Sequence, residues 1–335
     1  MSAIYSRIIG TGSYLPAKVL TNADLAGTVD TSDEWIQQRT GIRERHIAAD
    51  NEKASDLALQ ASRRALEMAG ITADQLSLII VATTTPDMVF PSTACILQSK
   101  LGVKNMPAFD VQAVCSGFVY ALNTADLYIK SGQYEYILVV GAEVYSRILD
   151  WSDRGTCVLF GDGAGAVVIG QSRDAGIGPV EWGSDADSRD AIQMNPSWID
   201  VRDVETQLTK AGSKWPNISQ EGQKVYRWAV FSMSKAAMKA LESAGLTVND
   251  IAAFIPHQAN MRIIETMAKE MGMPDSVVIA DDIRVNGNTS AASIPLAMDV
   301  LLDKHPELHG KLALLIGYGA GLVYAGQVVE LPPKP

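Results

Sequence analysis

The sequence predicts an α/β fold made of two similar αβ halves. The stretch ALEMAGITADQLSLII at residues 65–80 is echoed by ALESAGLTVNDIAAFI at residues 240–255, with Ala, Leu, Glu, Ala, Gly and Thr at the same places. Each copy has the pattern of an amphipathic helix that ends at glycine, followed by a turn and a buried strand. Alternating helices and strands are typical of α/β domains, and a repeat this long is not a solenoid unit.

A second pair of similar segments supports the same repeat. GDGAGAVV at residues 161–168 is similar to GYGAGLVY at residues 317–324, and each follows its copy of the first echo along the chain. The first half is longer between its two markers. We expect the extra length in the loop at residues 83–92.

The two echoes predict how the chain is divided. Its 335 residues suffice for about two domains of ordinary size. We expect an N-terminal half at residues 1–172, which carries Cys115, and a C-terminal half at residues 173–335. Near residues 171–225 the chain is polar and irregular, which predicts an excursion that caps a site.

Composition excludes several classes of protein. Hydrophobic residues make up 47% of the chain, and the net charge of −10 argues against a general nucleic-acid binder. The three cysteines, Cys95, Cys115 and Cys157, have no metal-binding spacing. We see neither a signal-peptide pattern nor the run of about 20 apolar residues that a membrane span needs. We therefore expect a cytoplasmic protein that uses no metal and binds neither nucleic acid nor membrane.

Cys115 stands in VQAVCSGF, between two predicted elements. The run at residues 108–111 has the pattern of a buried strand, and from Phe118 apolar residues recur at helical spacing until Ser131. Cys115 therefore falls near the first turn of a helix, where backbone N–H groups and the helix dipole lower the pKa of a thiol. Position alone leaves two interpretations open: a nucleophile, or a small buried hydrophobe, as most free cysteines are.

Candidate partners for this thiol lie in the second half. His257 follows the buried run IAAFIP, and Asn288 lies in VNGNTSAAS ahead of small residues that open a helix. The turn GYGAG at residues 317–321 offers backbone N–H groups with little side-chain bulk. Each feature alone also has an ordinary interpretation, such as a core histidine or a turn asparagine. Together with Cys115 they give a cysteine, a histidine, an asparagine and a glycine-rich turn, all at the ends of buried elements in a twofold repeat.

Five motifs in this order resemble β-ketoacyl-acyl carrier protein synthase III, of the thiolase-like superfamily. Along the chain they are TSDEWIQQRTGIRERH, VCSGF, FGDGAG, PHQAN and NGNTSAAS. The resemblance runs from Ile8 to about Val329 and implies a layered α-β-α-β-α fold. It also implies catalytic roles for Cys115, His257 and Asn288.

The resemblance implies an oxyanion hole formed by the backbone N–H groups of Cys115 and Ala320. The family usually has only glycine where this chain has Gly319-Ala320-Gly321. An alanine is tolerated at this position only if its φ is negative.

The resemblance also implies binding residues and a homodimer. Coenzyme A is expected at Trp35, Arg39, Thr40, Arg154, Gly155 and Asn260. The carrier protein is expected at Gln258, Ala259, Asn260, Met261, Arg262, Arg227 and Lys269, since Arg262 and Lys269 share one helix face. Phe90 and Tyr318 are expected at the acyl pocket, where Phe90 is the residue that the family lends to its partner subunit.

The activity implied is the first condensation of fatty acid synthesis. Cys115 takes the acyl group from an acyl-CoA, and decarboxylation of malonyl-acyl carrier protein then supplies a carbanion. The products are 3-oxoacyl-acyl carrier protein, coenzyme A and CO2. No cofactor is implied beyond the coenzyme A thioester, which is a substrate.

Other functions stay open from the sequence. Papain-like hydrolases also use Cys, His and Asn, but their local signature C-G-x-C-[WY] is missing. A thioesterase would use His257 to activate water, and a binding module would keep the fold without catalysis. Sequence alone poorly separates a condensing enzyme with another acceptor, of the starter-unit or quinolone type.

Overall fold

The structure is a computed structural model that describes residues 3–198, 201 and 215–334. Its strands are β1 (Tyr5–Tyr14), β2 (Lys18–Thr21), β3 (Glu44–Ile47), β4 (Leu78–Ala82), β5 (Ala108–Val111), β6 (Tyr136–Val144), β7 (Asp162–Ser172), β8 (Ile177–Ser184), β9 (Ile192–Asn195), β10 (Asn217–Gln220), β11 (Ala253–Pro256), β12 (Val278–Ile279), β13 (Leu312–Gly319) and β14 (Val323–Glu330).

The helices of the described residues alternate with these strands. They are α1 (Asn22–Ala26), α2 (Asp33–Thr40), α3 (Ala54–Ala69), α4 (Thr93–Leu101), α5 (Gly117–Lys130), α6 (Gly222–Trp228), α7 (Ser234–Ser243), α8 (Met261–Glu270), α9 (Ile283–Asn286) and α10 (Ser293–Lys304). Two short 3-10 turns, Val114–Ser116 and Ser290–Ala292, precede α5 and α10. None of the described helices is long and apolar enough to cross a membrane.

Two five-stranded sheets have the same topology. The first has the order β1-β7-β6-β4-β5, and the second has the order β8-β14-β13-β11-β12. In each sheet the last three strands of this order are parallel, and the first two pair antiparallel. The repeat seen in the sequence is therefore present as two equivalent sheets, although the division of the chain at residue 172 stays a prediction.

Helices cover both faces of each sheet. One cluster of buried side chains joins α5 and α10 to both sheets, and two more join α3 and α4 to the first sheet and α7 and α8 to the second. Within β4, Leu78 and Ile80 face the middle layer, whereas Ile79 and Val81 face α3, which is why this strand is apolar at every position. The predicted α-β-α-β-α layering is confirmed.

The two segments of the second echo, GDGAG and GYGAG, do not occupy equivalent positions in the two sheets. GDGAG runs into the start of β7, whereas GYGAG ends β13 and forms the turn before β14. The extra length of the first half lies mainly at residues 145–161, which connect β6 to β7, where residues 320–322 connect β13 to β14. The expectation of a long insertion at residues 83–92 was therefore wrong.

Part of the predicted excursion near residues 171–225 forms regular secondary structure. Residues 177–184 form β8, an edge strand of the second sheet that pairs with β14. Beyond it, β9 and β10 pair as a small antiparallel sheet beside the cavity described below. Residues 199–200 and 202–214 of the excursion lie outside the described residues.

Candidate active site

Cys115, His257 and Asn288 line one cavity of about 520 Å³. They come from three elements: the turn before α5, the residue that follows β11, and the residue that follows α9 and Gly287. Cys95 is exposed on α4, and Cys157 is buried outside the cavity lining. The structure therefore brings together the three residues that the sequence predicts for catalysis.

The cysteine sits where the strand-to-helix pattern predicts. The turn Val114–Ser116 leads directly into α5, and Val114 has a φ of +47°, which a β-branched residue rarely adopts. Gly319, at the end of β13, packs so closely that a Cβ there would lie 2.8 Å from the Cβ of Cys115 and 2.9 Å from its Sγ. Only glycine fits beside this sulfur.

The protonation state of Cys115 corrects one expectation. We expected the start of α5 to lower the pKa of the thiol. Instead, burial raises the pKa of Cys115 to about 12, and the hydrogen bond with Ser290, at 3.4 Å, opposes this only in part. Cys115 is therefore a thiol at neutral pH, and its proton must leave as the sulfur attacks.

His257 is held rigidly at the end of β11. Its backbone N–H donates to the carbonyl of Ile316 at 2.8 Å, and its Nδ1 lies 2.7 Å from the hydroxyl of Ser293. Burial lowers the pKa of His257 to about 3, so the imidazole is neutral. The ring of Tyr318 packs edge-on against it at 5.3 Å between centroids.

Asn288 is oriented by its neighbours. Its backbone N–H donates to the carbonyl of Leu159 at 2.8 Å, and its Oδ1 accepts from the backbone N–H of Ser290 at 2.8 Å. With the oxygen occupied, the NH2 group is the end of the side chain suited to donate to a ligand. Asn288 thus serves both as a turn residue and as a candidate donor.

Ala320, in the glycine-rich turn, adopts a backbone conformation that an alanine tolerates. The φ of Ala320 is not positive, whereas that of Gly321 is +142°. Gly319 lines the cavity, and Ala320 follows it in the turn between β13 and β14. The oxyanion role of the Ala320 amide stays a prediction.

The predicted coenzyme A residues all line the same cavity. At its mouth the guanidinium of Arg154 lies 4.9 Å from the ring centre of Trp35, and that of Arg39 lies 5.7 Å from it. Arg154 also donates to the carbonyl of Asp30 at 2.9 Å. Thr40, Gly155 and Asn260 complete the predicted set.

Gln258 and Met261, two of the residues predicted to dock the carrier protein, are buried, which corrects that prediction. Gln258 is 1% exposed, and its amide bonds to the carbonyl of Pro256 at 2.8 Å and to the backbone N–H of Ile283 at 3.1 Å. Met261 is buried in the apolar cluster between α2 and α8. Neither side chain can contact a carrier protein, because both are used to pack the fold.

The other docking residues remain accessible or line the mouth. Arg227, Arg262 and Lys269 are exposed, and the guanidinium of Arg262 lies 5.5 Å from the ring centre of Tyr226. Asn260 caps α8 and donates to the carbonyl of Arg39 at 3.0 Å, which ties α8 to α2. Ala259 also lines the cavity.

The two predicted acyl-pocket residues differ in position. Tyr318 lines the cavity beside His257. Phe90 is 82% exposed and does not line the cavity of its own chain. Its assignment to a partner's pocket stays a prediction.

Sequence reasoning missed several residues around the sulfur. Ser290 and Ser293 lie inside the quoted motif NGNTSAAS, where the alternation of hydroxyls with alanines was the available signal. Tyr145 lines the cavity and stacks on Phe160 at 4.7 Å between ring centres. Nothing in the local sequence marked Tyr145, because its partners are distant along the chain.

Among the described residues, no group of three or more His, Cys, Asp or Glu side chains is placed to hold a metal ion. The three predicted catalytic side chains that line the cavity supply a buried thiol, a neutral imidazole and a carboxamide.

Comparison with known proteins identifies the family. Residues 109–186 match the profile described as 3-oxoacyl-[acyl-carrier-protein (ACP)] synthase III, and residues 241–331 match the profile of its C-terminal part. The chain is 48% identical to the β-ketoacyl-[acyl-carrier-protein] synthase III of Streptomyces glaucescens, over 98% of this chain and 97% of that one. It is 50% identical to the enzyme of the same name from Thiobacillus denitrificans, over 97% and 99% of the two chains.

Solved structures agree. The priming β-ketosynthase of the R1128 polyketide pathway superposes with a TM-score of 0.95 at 41% identity, covering 100% of this chain and 98% of that one. The 3-oxoacyl-[acyl-carrier-protein] synthase III of Aquifex aeolicus superposes with a TM-score of 0.88 at 41% identity, covering 97% and 99%. With its thiolase-like fold, its cysteine cavity and these relatives, the chain belongs to the 3-oxoacyl-[acyl-carrier-protein] synthase III family of condensing acyltransferases.

Proposed function

We propose that this condensing enzyme starts fatty acid synthesis by joining an acyl-CoA primer to malonyl-acyl carrier protein. The observation that carries the proposal is the convergence of Cys115, His257 and Asn288 in one cavity, with Trp35 and Arg154 at its mouth. The first three supply a nucleophile and two hydrogen-bond donors, and the last two offer flat faces to a nucleotide base.

In the first half-reaction the sulfur of Cys115 attacks the thioester carbonyl of the primer. A new carbon–sulfur bond forms, the thiol proton leaves, and the tetrahedral oxyanion is stabilised by the N–H groups of Cys115 and Ala320. Coenzyme A departs as a thiolate when the old carbon–sulfur bond breaks. The covalent intermediate divides one difficult transfer into two easier ones.

In the second half-reaction malonyl-acyl carrier protein loses CO2. The electrons of the broken carbon–carbon bond form an enolate, and its oxygen accepts hydrogen bonds from Nε2–H of His257 and from the NH2 group of Asn288. Preorganised donors of this kind contribute about 3–4 kcal/mol each. The enolate carbon then attacks the acyl group, and the sulfur of Cys115 leaves.

The mouth of the cavity supports binding of coenzyme A by its adenine end. Trp35 presents a flat ring, and Arg154 lies over it at 4.9 Å. A guanidinium and an indole can both stack on a base. We propose that adenine stacks against these two side chains, with Arg39, Thr40, Gly155 and Asn260 around it.

A basic face beside the mouth supports docking of an acidic carrier protein. Arg227 and Arg262 are exposed and line the cavity, and Lys269 is exposed two turns after Arg262 on α8, although the whole chain carries a net charge of −10. Glu265 on the same helix is paired with Arg284 at 3.2 Å, so its charge is partly compensated. Opposite charges across such an interface act mainly on the association rate.

An apolar edge of the first sheet supports a homodimer. All four residues of β5 are half-buried, β5 is the last strand of its sheet, and Leu127 of the neighbouring α5 is 58% exposed. Val89 and Phe90, between β4 and α4, are 85% and 82% exposed. Proteins usually cover an unpaired apolar edge, and we propose that a second copy covers this one and receives Phe90 at its acyl pocket.

We propose a cytoplasmic location, because all three cysteines are free thiols, which suits a reducing compartment.

A dimer and its interface can be tested together. Sedimentation of the wild-type chain should give the dimer mass, and Phe109→Glu in β5 should give the monomer mass. A wild-type monomer at micromolar concentration would contradict the proposal.

Intact mass spectrometry tests the reaction itself. The protein is incubated with acyl-CoAs of different chain length and then with malonyl-acyl carrier protein. We expect acyl mass on Cys115 alone, located by peptide mapping, followed by its transfer to 3-oxoacyl-carrier protein. His257→Ala and Asn288→Ala should impair malonyl decarboxylation more than acyl loading.

A second candidate function is favoured by one observation. The structure with a TM-score of 0.95 is a priming ketosynthase of a polyketide pathway. In the same assay a starter-unit enzyme would transfer the primer only when given the carrier protein of such a pathway. Release of free acid would indicate a thioesterase, and absence of any acyl adduct would indicate a binding module.

A further inference from the structure

The catalytic cavity has an exposed mouth and a buried inner end. Arg154 and Arg262, which line the mouth, are exposed, whereas Tyr145 and Phe160 in the same lining are each 2% exposed. Since coenzyme A is proposed to bind at the mouth, the acyl chain on Cys115 extends away from the mouth, toward this buried lining. None of the steps above assigns a role to Tyr145 or Phe160.

The inner end of the cavity belongs to one apolar cluster. Tyr145 and Phe160 pack there with Ile218, and Ile192 packs against the same cluster. All four of these side chains line the cavity. Apolar surface of this kind favours a hydrocarbon chain, because the chain leaves water when it enters. The inner end is therefore suited to the alkyl part of an acyl primer.

The ring of Tyr145 is fixed in place at this end. One face stacks on Phe160, with 4.7 Å between ring centres and an interplanar angle of 20°. The phenol oxygen lies 3.1 Å from the hydroxyl of Thr84. Thr84 is itself held, because its backbone N–H donates to the buried carboxyl of Glu143 at 3.1 Å. The ring cannot move aside without losing both its stacking contact and its hydrogen bond.

A second cavity, of about 460 Å³, lies behind this ring. Thr84, the hydrogen-bond partner of Tyr145, lines the second cavity and not the first. The small sheet of β9 and β10 repeats the arrangement, since Ile218 lines the first cavity and Met194, which is paired with it across the two strands, lines the second. The two cavities are therefore separated by a wall of side chains to which Tyr145 contributes its ring.

We propose that Tyr145 sets the longest acyl primer that the enzyme loads, because its ring closes the inner end of the catalytic cavity and keeps the chain out of the second cavity. The primers accepted are then short ones. Methylenes beyond the limit would press against a ring that two contacts hold in place, and extra methylenes in a filled apolar space are unfavourable. Tyr145 is thus a specificity-determining residue of the loading step. This inference rests on the proposed function, since it concerns transfer from acyl-CoA to Cys115.

Loading of Cys115 from straight-chain acyl-CoAs, from acetyl to dodecanoyl, tests the inference by rapid-quench intact mass spectrometry. The length limit of each protein is the longest primer that loads at no less than a tenth of the acetyl rate. In the wild type we expect loading to fall on the order of tenfold for each methylene beyond the limit. In Tyr145→Ala the limit should move by about two carbons or more, and each methylene that newly fits should raise kcat/KM by up to about fourfold.

Two further substitutions at the same position separate the bulk of the ring from its hydroxyl. Tyr145→Phe keeps the ring stacked on Phe160 and removes only the hydroxyl, so it should keep the wild-type limit. Tyr145→Leu keeps an apolar side chain against Phe160 but is shorter than tyrosine. Its limit should move in the same direction as that of Tyr145→Ala, by fewer carbons, which keeps the test decisive if Tyr145→Ala does not fold.

A matched control shortens an apolar side chain at the other end of the same cavity. Val158 lines the cavity and belongs to the cluster against which Trp35 packs at the mouth. Val158→Ala should leave the length limit unchanged. A wild-type limit in both Tyr145→Ala and Tyr145→Leu would overturn the inference. So would a limit that moved as far in Tyr145→Phe or Val158→Ala, because the bulk of the Tyr145 ring would not be the cause. A wild-type enzyme that no primer acylates would instead contradict the proposed function.

Discussion

The hydroxyl of Ser293 lies 2.7 Å from Nδ1 of His257 and 3.3 Å from the backbone nitrogen of Gln258. Among the described residues, Nδ1 is the only acceptor that this hydroxyl contacts, so its single proton is assigned to Nδ1. The neutral imidazole, whose pKa burial lowers to about 3, must then carry its proton on Nε2. This is the tautomer that can donate to an enolate oxygen.

Removal of the Ser293 hydroxyl should therefore impair condensation selectively. In Ser293→Ala we expect condensation to fall on the order of tenfold, because Nδ1 loses its donor and the tautomers mix. Acyl loading should stay near wild type. Nitrogen NMR of labelled histidine should show the Nε2–H form in the wild type and a mixture in the variant. Ser62→Ala, at a buried serine in α3, is the control and should change neither step.

Gly319 should be indispensable beside the sulfur. A methyl group there would lie 2.8 Å from the Cβ of Cys115, and the cysteine would have to move. We expect Gly319→Ala to slow acylation on the order of 100-fold, as a displacement of about 1 Å can. Gly222→Ala, which lines the same cavity but meets no atom within 4 Å, should acylate normally. Equal rates for the two variants would disprove the steric argument.

Arg154 should act on the nucleotide end of the primer. In Arg154→Ala we expect the KM for acyl-CoA to rise roughly tenfold with kcat little changed, because the stacking contact over Trp35 is lost. An acyl-pantetheine thioester lacks the adenine and serves as the matched substrate. Its KM should be the same for both proteins. A parallel rise for both substrates would place Arg154 elsewhere in the reaction.

Arg262 should act on the carrier protein. Arg262→Glu should raise the KM for malonyl-acyl carrier protein and leave loading from acyl-CoA nearly unchanged, because the encounter of opposite charges is disturbed. The wild-type KM should also increase with salt. Arg63→Glu reverses an exposed charge on α3 outside the cavity and should have no effect. If neither Arg262→Glu nor salt changed this KM, the carrier protein would have to dock on another face.

Acid should destabilise the fold through His257. Burial lowers the pKa of this imidazole to about 3, so the unfolded chain binds the proton more readily than the folded chain does. The stability it contributes is complete above pH 6.5 and is lost as pH falls toward 3. The loss at pH 5 should be about 2 kcal/mol. His257→Asn should lack it, and urea unfolding at pH 7 and pH 5 measures the difference; identical pH slopes would contradict it.

The sequence was most informative where one local pattern positions one residue. The strand at 108–111, the helix after Cys115 and the strand before His257 are all where periodicity predicts them, because each depends on neighbours in the chain. Burial of Gln258 was missed, since two of its three backbone partners, Ala280 and Ile283, lie 22 and 25 residues away in sequence.

The surroundings of the sulfur were the least predictable part of the site. Glu143 reads as an ordinary residue near a strand end, and its partners Thr84 and Thr85 lie about sixty residues away in sequence. The glycine echo misled for a related reason. Glycine occurs wherever two backbones approach closely, so GDGAG and GYGAG are similar in sequence although they occupy different places in the fold.

The two sheets have the same strand order, so each strand end in one sheet has an equivalent in the other, although the reaction uses one centre. His257 directly follows β11, and Thr83 directly follows the equivalent strand β4. Gly319 ends β13, and Glu143 lies near the end of the equivalent strand β6. A duplicated scaffold provides each strand end twice, whereas one reaction uses each end once. Here the ends that carry His257 and Gly319 line the reaction cavity, whereas Thr83 and Glu143 at the equivalent ends are buried outside its lining.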